Sequence, residues 1–236
     1  MKEPKIISIM HRKGGVGKSS MIISLATYLN HKGHNSIILD LDPKNETCTM
    51  LRNRNIEDAE KLSLKSKASR EYHRLKAQNK IYPIQTIAPK DLSLTLSKIR
   101  EGNDKFKIEY VFIDSPGAVE DQGFIETIKQ VQHVLIPMIN DQKNDENTIE
   151  YYLKLDEMKP KLSNIKTIDI FFNNIEYSLK DAMETLMKNK IKKENLFTNF
   201  IKHNKHFKAG QLQTILPIEE DFMRDFVKEF KSKTNK

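Results

Sequence analysis

A glycine-rich stretch near the amino terminus constrains the fold more than any other part of the sequence. It reads His11-Arg12-Lys13-Gly14-Gly15-Val16-Gly17-Lys18-Ser19-Ser20. Before it, residues 5–10 form a mostly apolar run of strand length, and after it residues 21–29 carry apolar side chains at helical spacing. The glycines therefore lie on a turn between a strand and a helix.

Such a turn is a seat for phosphate. The backbone N–H groups can point inward because no Cβ obstructs them, and the helix N-terminus adds its partial positive charge. We expect Lys18 to supply a mobile charge to the β- and γ-phosphates of a nucleotide and Ser19 to supply a hydroxyl to Mg²⁺. The predicted nucleotide contacts are Gly14, Gly15, Val16, Gly17, Lys18, Ser19 and Ser20, together with Asn173 at the end of a later strand.

Further apolar runs of strand length occupy residues 36–43, 109–117, 131–139 and 168–174. Helical patterns alternate with them, so the sequence predicts an α/β fold with a doubly wound, mostly parallel sheet flanked by helices. Ligands of such sheets bind at the carboxyl ends of the strands. Asp114 ends one of these runs beside a turn, which predicts a carboxylate that holds Mg²⁺, commonly through water.

Length and composition bound the remaining possibilities. The 236 residues suit one domain over residues 1–236. The single cysteine, Cys48, excludes a disulfide within the chain, and a small buried hydrophobe is favoured over a redox sensor. The amino terminus lacks the apolar region of a signal peptide, and no apolar run approaches the roughly 20 residues that span a bilayer. We therefore expect a cytoplasmic protein.

The formal net charge of +8 favours a polyanionic partner, either nucleic acid or an anionic membrane. Residues 61–80 are rich in lysine and arginine, and the spacing of the apolar side chains predicts a helix with one apolar side. That side comprises Leu64, Ala68, Tyr72 and Leu75. Both a solvated surface helix and a DNA-facing helix remain open for this segment.

A final amphipathic helix is predicted over residues 219–231. Its apolar face comprises Phe222, Met223, Phe226, Val227 and Phe230. Three acidic residues open this helix, which favours packing against the core over anchoring to a membrane.

Three motifs in order resemble the ParA/MinD family of ATPases, whose Walker A box is deviant. They are the box at residues 13–19, Asp40-Leu41-Asp42-Pro43, and Asp114-Ser115-Pro116. The resemblance implies a P-loop NTPase fold that binds ATP and Mg²⁺ and hydrolyses ATP to ADP and phosphate, slowly without a partner. It also implies a homodimer that closes face to face around two nucleotides.

The resemblance implies roles for individual residues. Lys13 would reach the phosphates held by the partner subunit, and Asp42 would orient or activate the attacking water. Together with Lys18, these form the expected catalytic set. Asp40 would lie near the Mg²⁺ shell with Ser19 and Asp114.

Asp40-Leu41-Asp42-Pro43 and the segment Phe207-Lys208-Ala209-Gly210 resemble the ParA branch more than the MinD branch. That branch implies segregation of a plasmid or chromosome, non-specific DNA binding by an ATP dimer, a ParB-like centromere-binding partner, and nucleoid association without stable membrane association. The candidate DNA contacts are Lys202, Lys205 and Lys208. One alternative is a MinD-like membrane-associated positioning ATPase. Another is a non-hydrolysing scaffold, against which Asp42 and Asp114 argue.

Overall fold

The computed structural model describes residues 3–42, 47–62, 64–115, 122–139, 142–175, 184, 186–189, 191–202 and 212–235. Seven strands in these ranges form one sheet in the order β3-β2-β4-β1-β5-β6-β7, and every pairing is parallel. The strands are β1 (Lys5–Ile9), β2 (Ser36–Asp40), β3 (Ile84–Thr86), β4 (Tyr110–Asp114), β5 (His133–Met138), β6 (Thr167–Ile175) and β7 (Ile201–Lys202).

Helices connect and flank the strands. Those described are α1 (Lys18–His31), α2 (Thr47–Lys61), α3 (Lys67–Ala77), α4 (Leu92–Glu101), α5 (Asn103–Phe106), α6 (Gln122–Ile128), α7 (Gln142–Met158) and α8 (Asp221–Lys233). Short 3₁₀ turns occupy Pro89–Asp91, Lys159–Lys161 and Lys193–Asn195. No described helix is both long and apolar enough to cross a membrane.

Successive side chains of a strand point to opposite faces of the sheet. Because most residues of the central strands are apolar, both faces of the sheet are apolar. Ile7 and Phe112 lie in a cluster with side chains of α1 and α8. Their neighbours Ile6 and Val111 lie in a cluster on the other face, which α4 covers. The side chains of α6 and α7 extend that second layer over β5 and β6. Helices thus cover both faces, which confirms the predicted doubly wound α/β fold.

Helix α8 packs its apolar face into the core, as its sequence pattern predicts. Phe226 and Phe230 are fully buried. Lys233 donates to Asp169 Oδ1 of β6 at 3.0 Å. The carboxylate of Glu229 accepts hydrogen bonds from the backbone and side chains of residues 198 and 199. The helix therefore braces the segment that leads into β7.

The predicted helix over residues 61–80 is wrong in its first part. Helix α2 ends at Lys61 and α3 begins at Lys67, with Ser66 as the N-cap that accepts from Ser69 N–H at 3.0 Å. Leu64 lies in the intervening turn with φ of 67° and is 54% exposed. Tyr72 and Leu75 do lie on the buried side of α3. A capping serine and a left-handed turn residue break the helix that apolar spacing alone suggests.

Candidate nucleotide-binding site

The glycine-rich loop connects β1 to α1, as predicted. Gly15 and Gly17 have φ angles of 75° and 91°, which glycine adopts readily and residues with a Cβ rarely adopt. A Cβ on Gly17 would also lie 2.6 Å from Asn173 Nδ2. The loop conformation therefore requires glycine at position 17 for two independent reasons.

Asn173 ties the loop to β6. Its Nδ2 group donates to the carbonyl oxygen of Val16 at 2.9 Å, and the Val16 side chain is buried beneath the loop. The backbone around Gly14 and Gly15 instead faces open space, where an added Cβ would meet nothing within 4 Å. Since α1 starts at Lys18, the N–H groups of Ser19 and Ser20 lie in its first turn. This arrangement is a cradle that fits phosphate.

His11 fixes the start of the loop. Its Nδ1 accepts from the backbone N–H of Lys13 at 2.9 Å, so Nε2 carries the proton and donates to Thr148 Oγ1 of α7 at 3.2 Å. Burial, helped by the nearby charge of Lys18, lowers the pKa of His11 to about 4, which keeps the ring neutral. Sequence reasoning missed this role, because Thr148 is remote along the chain.

Two lysines of the loop have different environments. Lys18 is half-buried, and burial lowers its pKa, although the carboxylates of Asp114 and Asp42 partly offset that effect. Its Nζ donates to the carbonyl oxygen of Lys13 at 3.3 Å. The side chain of Lys13 is exposed. Lys18 is therefore the loop lysine that lies near the carboxylates of this chain's own site.

The acids of β2 and β4 are neighbours because these parallel strands pair in register, with Asp40 opposite Asp114. Asp114 is 4% exposed, and the Ser19 side chain lies near its carboxylate. Burial raises the pKa of Asp114 to about 6. The structure thus brings together Ser19, Asp40 and Asp114, the three residues proposed for the metal.

Asp40 is fully buried and receives backbone hydrogen bonds. Its Oδ1 accepts from Asp42 N–H at 3.2 Å, and its Oδ2 accepts from the N–H groups of Cys48 and Thr49 at 3.1 and 3.4 Å. The latter two groups lie in the first turn of α2, where a carboxylate is favoured by the helix dipole. Asp40 therefore holds the start of α2, and a direct metal contact for it stays a prediction.

Asp42 follows β2 and is partly buried, close enough to attract Lys18 electrostatically. Its backbone is held by Asp40, as described above. Residues 43–46 and 116–121, which include Pro43 and Pro116, lie outside the described residues. The proposed role of Asp42 toward water stays a prediction.

The donors fit Mg²⁺ in chemistry. A hydroxyl and a carboxylate at a phosphate cradle are the hard oxygen ligands that Mg²⁺ takes, usually with water and substrate phosphates completing its shell. Within the described ranges, no group of three or more histidine, cysteine, aspartate or glutamate side chains forms a metal cage. An ion held by Ser19 and Asp114 would thus take its remaining ligands from water and nucleotide phosphates.

Cys48 is buried at the same place, as predicted for a small hydrophobe. The thiol also makes a polar contact that sequence reasoning missed, because Cys48 Sγ–H donates to Asp114 Oδ2 at 3.2 Å. Burial raises the pKa of the thiol well above its usual value, with the two nearby carboxylates adding to the effect. The sequence offered one indication that Cys48 could lie near these acids, because it follows Asp40 by only eight residues.

Of the candidate DNA contacts, only Lys202 falls in the described chain, where its backbone forms the end of β7. Lys205 and Lys208, and the segment 207–210, lie outside the described residues. The DNA-binding assignment of these three lysines therefore stays a prediction.

The basic segment 61–80 carries several ion pairs. Lys67 pairs with Glu219 at 2.8 Å, and Lys76 pairs with Glu60 at 3.2 Å. Arg74 Nη2 lies 2.6 Å from a carboxylate oxygen of Glu71. These contacts neutralise much of the positive charge of α3, which favours a solvated surface over a DNA-facing helix.

Comparison with known proteins identifies the family. A sequence model described as an AAA domain matches residues 4–211, which is most of the chain. An uncharacterised protein of Methanocaldococcus jannaschii is 44% identical over 39 residues, a stretch that makes up 16% of this chain and 15% of that protein.

Solved structures share the fold along the whole chain. The ATP complex of a single-residue variant of McdA from Cyanothece has a TM-score of 0.63 at 18% identity, covering 100% of this chain and 96% of that one. A putative plasmid partition protein of Borrelia burgdorferi bound to AMPPNP has a TM-score of 0.61 at 22% identity, covering 98% and 99%.

The cell division protein MinD of Aquifex aeolicus has a TM-score of 0.61 at 16% identity, covering 97% of both chains. These structural neighbours thus include one putative plasmid partition protein and one cell division protein. With the family match and the deviant glycine-rich loop between β1 and α1, this chain belongs to the ParA/MinD family of P-loop ATPases.

Proposed function

We propose that this chain is a ParA-type ATPase that segregates a plasmid or chromosome, working as a single domain over residues 1–236 in the cytoplasm and on nucleoid DNA. The packing of α8 is the observation that favours the ParA branch over the MinD branch. Its side chains Phe226 and Phe230 are fully buried in the main core. An apolar face used in this way is not available to insert into a membrane, which favours DNA over lipid as the polyanionic partner.

The proposed ATP site uses the cradle of residues 14–20, with Asn173 holding the loop from beneath. Lys18 supplies positive charge to the terminal phosphates. Ser19 and Asp114 hold Mg²⁺, with Asp40 near the shell. Mg²⁺, when bound, neutralises charge on the phosphates during transfer to water.

Hydrolysis is proposed to depend on Asp42 and Lys13. Asp42 follows β2 at the carboxyl edge of the sheet, a position that suits a residue orienting water near the cradle. Lys13, whose side chain is exposed, would enter the site of the partner subunit when two ATP-bound chains form a homodimer. Catalysis of phosphoryl transfer rests on such positioning and charge neutralisation.

The ATP-bound dimer is proposed to bind DNA without sequence preference through Lys202, Lys205 and Lys208, and a ParB-like centromere-binding protein is proposed to stimulate release. Basic side chains that contact phosphates give such binding its strength and its salt dependence. Pairing two chains doubles the number of lysines presented to one duplex.

Co-sedimentation with DNA tests this proposal directly. We expect the protein to sediment with DNA fragments of unrelated sequence in the presence of ATP and Mg²⁺, and to remain in solution with ADP or without nucleotide. The parallel assay uses vesicles containing anionic phospholipid. ATP-dependent retention on vesicles but not on DNA would instead support the MinD-like alternative.

A further inference from the structure

Cys48 lies where α2 meets the two acids of the sheet. Its backbone N–H donates to Asp40 Oδ2 at 3.1 Å, and its thiol donates to Asp114 Oδ2 at 3.2 Å. The residue is fully buried. One residue thus bonds both carboxylates, the first through its backbone and the second through its side chain.

Side chains of two different elements lie beside the Asp114 carboxylate. The Ser19 side chain lies nearby in the first turn of α1, and the Cys48 thiol donates its hydrogen bond from the first turn of α2. A buried carboxylate that accepts this thiol hydrogen bond has less freedom to rotate than one without it. Removing the thiol would leave one oxygen of a buried carboxylate without that donor, which is costly in a low-dielectric site.

We propose that Cys48 is a positioning residue for the Mg²⁺ site, because its thiol orients the Asp114 carboxylate for the ion. The inference rests on the proposed Mg²⁺–ATP function and deepens it. Groups that orient a metal ligand from outside the coordination shell commonly change metal affinity by about 10- to 100-fold when they are removed. A residue that merely filled space would change stability without changing the Mg²⁺ requirement.

Matched substitutions separate the donor from the volume. Alanine and serine at position 48 have nearly the same size, and only serine keeps a hydrogen-bond donor. Valine and threonine form a second such pair that leaves less empty space. The Cys48→Ala/Cys48→Ser and Cys48→Val/Cys48→Thr comparisons therefore isolate the bond to Asp114.

The measurement is a MgCl₂ titration of the binding of a fluorescent, non-hydrolysable ATP analogue. We expect Cys48→Ala to raise the half-saturating Mg²⁺ concentration at least about tenfold, and Cys48→Ser to stay within about threefold of the parent. Binding of the analogue in EDTA should be the same for all variants. The thermal shift produced by Mg²⁺ with the analogue provides a second readout without turnover.

Equal Mg²⁺ titrations for parent and Cys48→Ala would overturn the proposal, as would an equal loss in the serine and alanine variants. Should the alanine variant not fold, the valine and threonine variants decide in the same way. A parent that binds the analogue identically with and without Mg²⁺ would refute the Mg²⁺ part of the proposed function itself. The two failures are therefore distinguishable.

Discussion

The carboxyl edge of the sheet and the surface of α3 both concentrate charge, but they handle it in opposite ways. At the sheet edge, Lys18, Asp40 and Asp114 are wholly or partly buried, and backbone groups or neighbouring side chains hold them in place. On α3, Lys67 and Lys76 are exposed and pair with nearby glutamates. Burial raises the pKa of Asp114 to about 6 and lowers the pKa of Lys18.

The difference shows that a net charge of +8 does not by itself locate a binding surface. Exposed ion pairs contribute only about 0–1 kcal/mol and are screened by salt. Charges held at a phosphate cradle act in a less polar medium, where each is worth more. Substitutions at the two regions should therefore have very different consequences.

The largest effect is expected from Lys18→Ala, which should abolish ATP binding. Lys18 is the loop lysine directed at its own site, so its removal takes away the charge that would meet the terminal phosphates. The matched variant Lys76→Ala removes an exposed lysine of α3 and should bind ATP like the parent. Equilibrium binding of a fluorescent ATP analogue compares the two, with circular dichroism as the folding control. Parental affinity in Lys18→Ala would show that the loop does not bind the phosphates as proposed.

Within the edge itself, two substitutions should separate dimerisation from hydrolysis. Asp42→Ala should bind ATP, accumulate as a dimer and lose at least about tenfold in turnover, since water is no longer oriented. Lys13→Ala should bind nucleotide and remain monomeric. Sizing chromatography with ATP, alongside phosphate release, measures both properties. Normal dimerisation of Lys13→Ala, or parental turnover of Asp42→Ala, would contradict the proposed two-subunit site.

An intermediate effect is expected on the salt dependence of DNA binding. Replacing Lys202, Lys205 and Lys208 with glutamine should flatten the log–log salt slope by about 0.9 for each DNA phosphate that is no longer neutralised. The control replaces Lys61, Lys67 and Lys76, which pair with glutamates at 3.8, 2.8 and 3.2 Å, and should change the slope little. Filter binding across a salt series tests both triple variants. A larger change in the slope for the control variant would indicate that the basic segment 61–80 binds DNA instead.

The smallest effect is expected on the pH dependence of stability, and it comes from His133, a buried neutral side chain outside both regions. Burial lowers the pKa of His133 to about 4. The unfolded chain therefore takes up a proton near pH 6.5 and the folded chain only near pH 4, so stability falls as pH decreases between these values. Through this histidine, the free energy of unfolding should be about 2 kcal/mol lower at pH 5 than at pH 7.

Urea unfolding of the parent and of His133→Gln at both pH values measures that contribution. The pH-dependent loss should be smaller in the variant by the same amount. Lys76→Ala, which changes an exposed pair on α3, should leave the difference between the two pH values within error. An unchanged pH dependence in His133→Gln would mean that this ring is not held neutral in the folded protein.

Much of the fold was predictable because it follows from local patterns. The turn at residues 13–19 needs only glycines between a strand and a helix, and the adjacency of Asp40 and Asp114 follows from parallel strands that end at one edge. The final helix was correctly predicted to pack, since its apolar face and acidic start are both visible in the sequence.

Features that depend on long-range contacts were not predictable in the same way. The contact of His11 with Thr148 joins residues 137 positions apart, and the thiol of Cys48 meets Asp114 across 66 positions. The break at Leu64 depends on a backbone conformation that spacing of apolar residues does not report. In each case the physical cause lies in three-dimensional proximity or local backbone geometry rather than in periodicity.

The position of α8 along the chain has a consequence for biosynthesis. Its phenylalanines complete the layer against β4 and β6, yet they are translated after every described strand of the sheet. While the chain is being synthesised, one face of the nascent sheet has incomplete cover and exposes apolar surface. Final consolidation of the protein must therefore wait until α8 has left the ribosome, and chaperones that bind exposed apolar segments have their substrate during that interval.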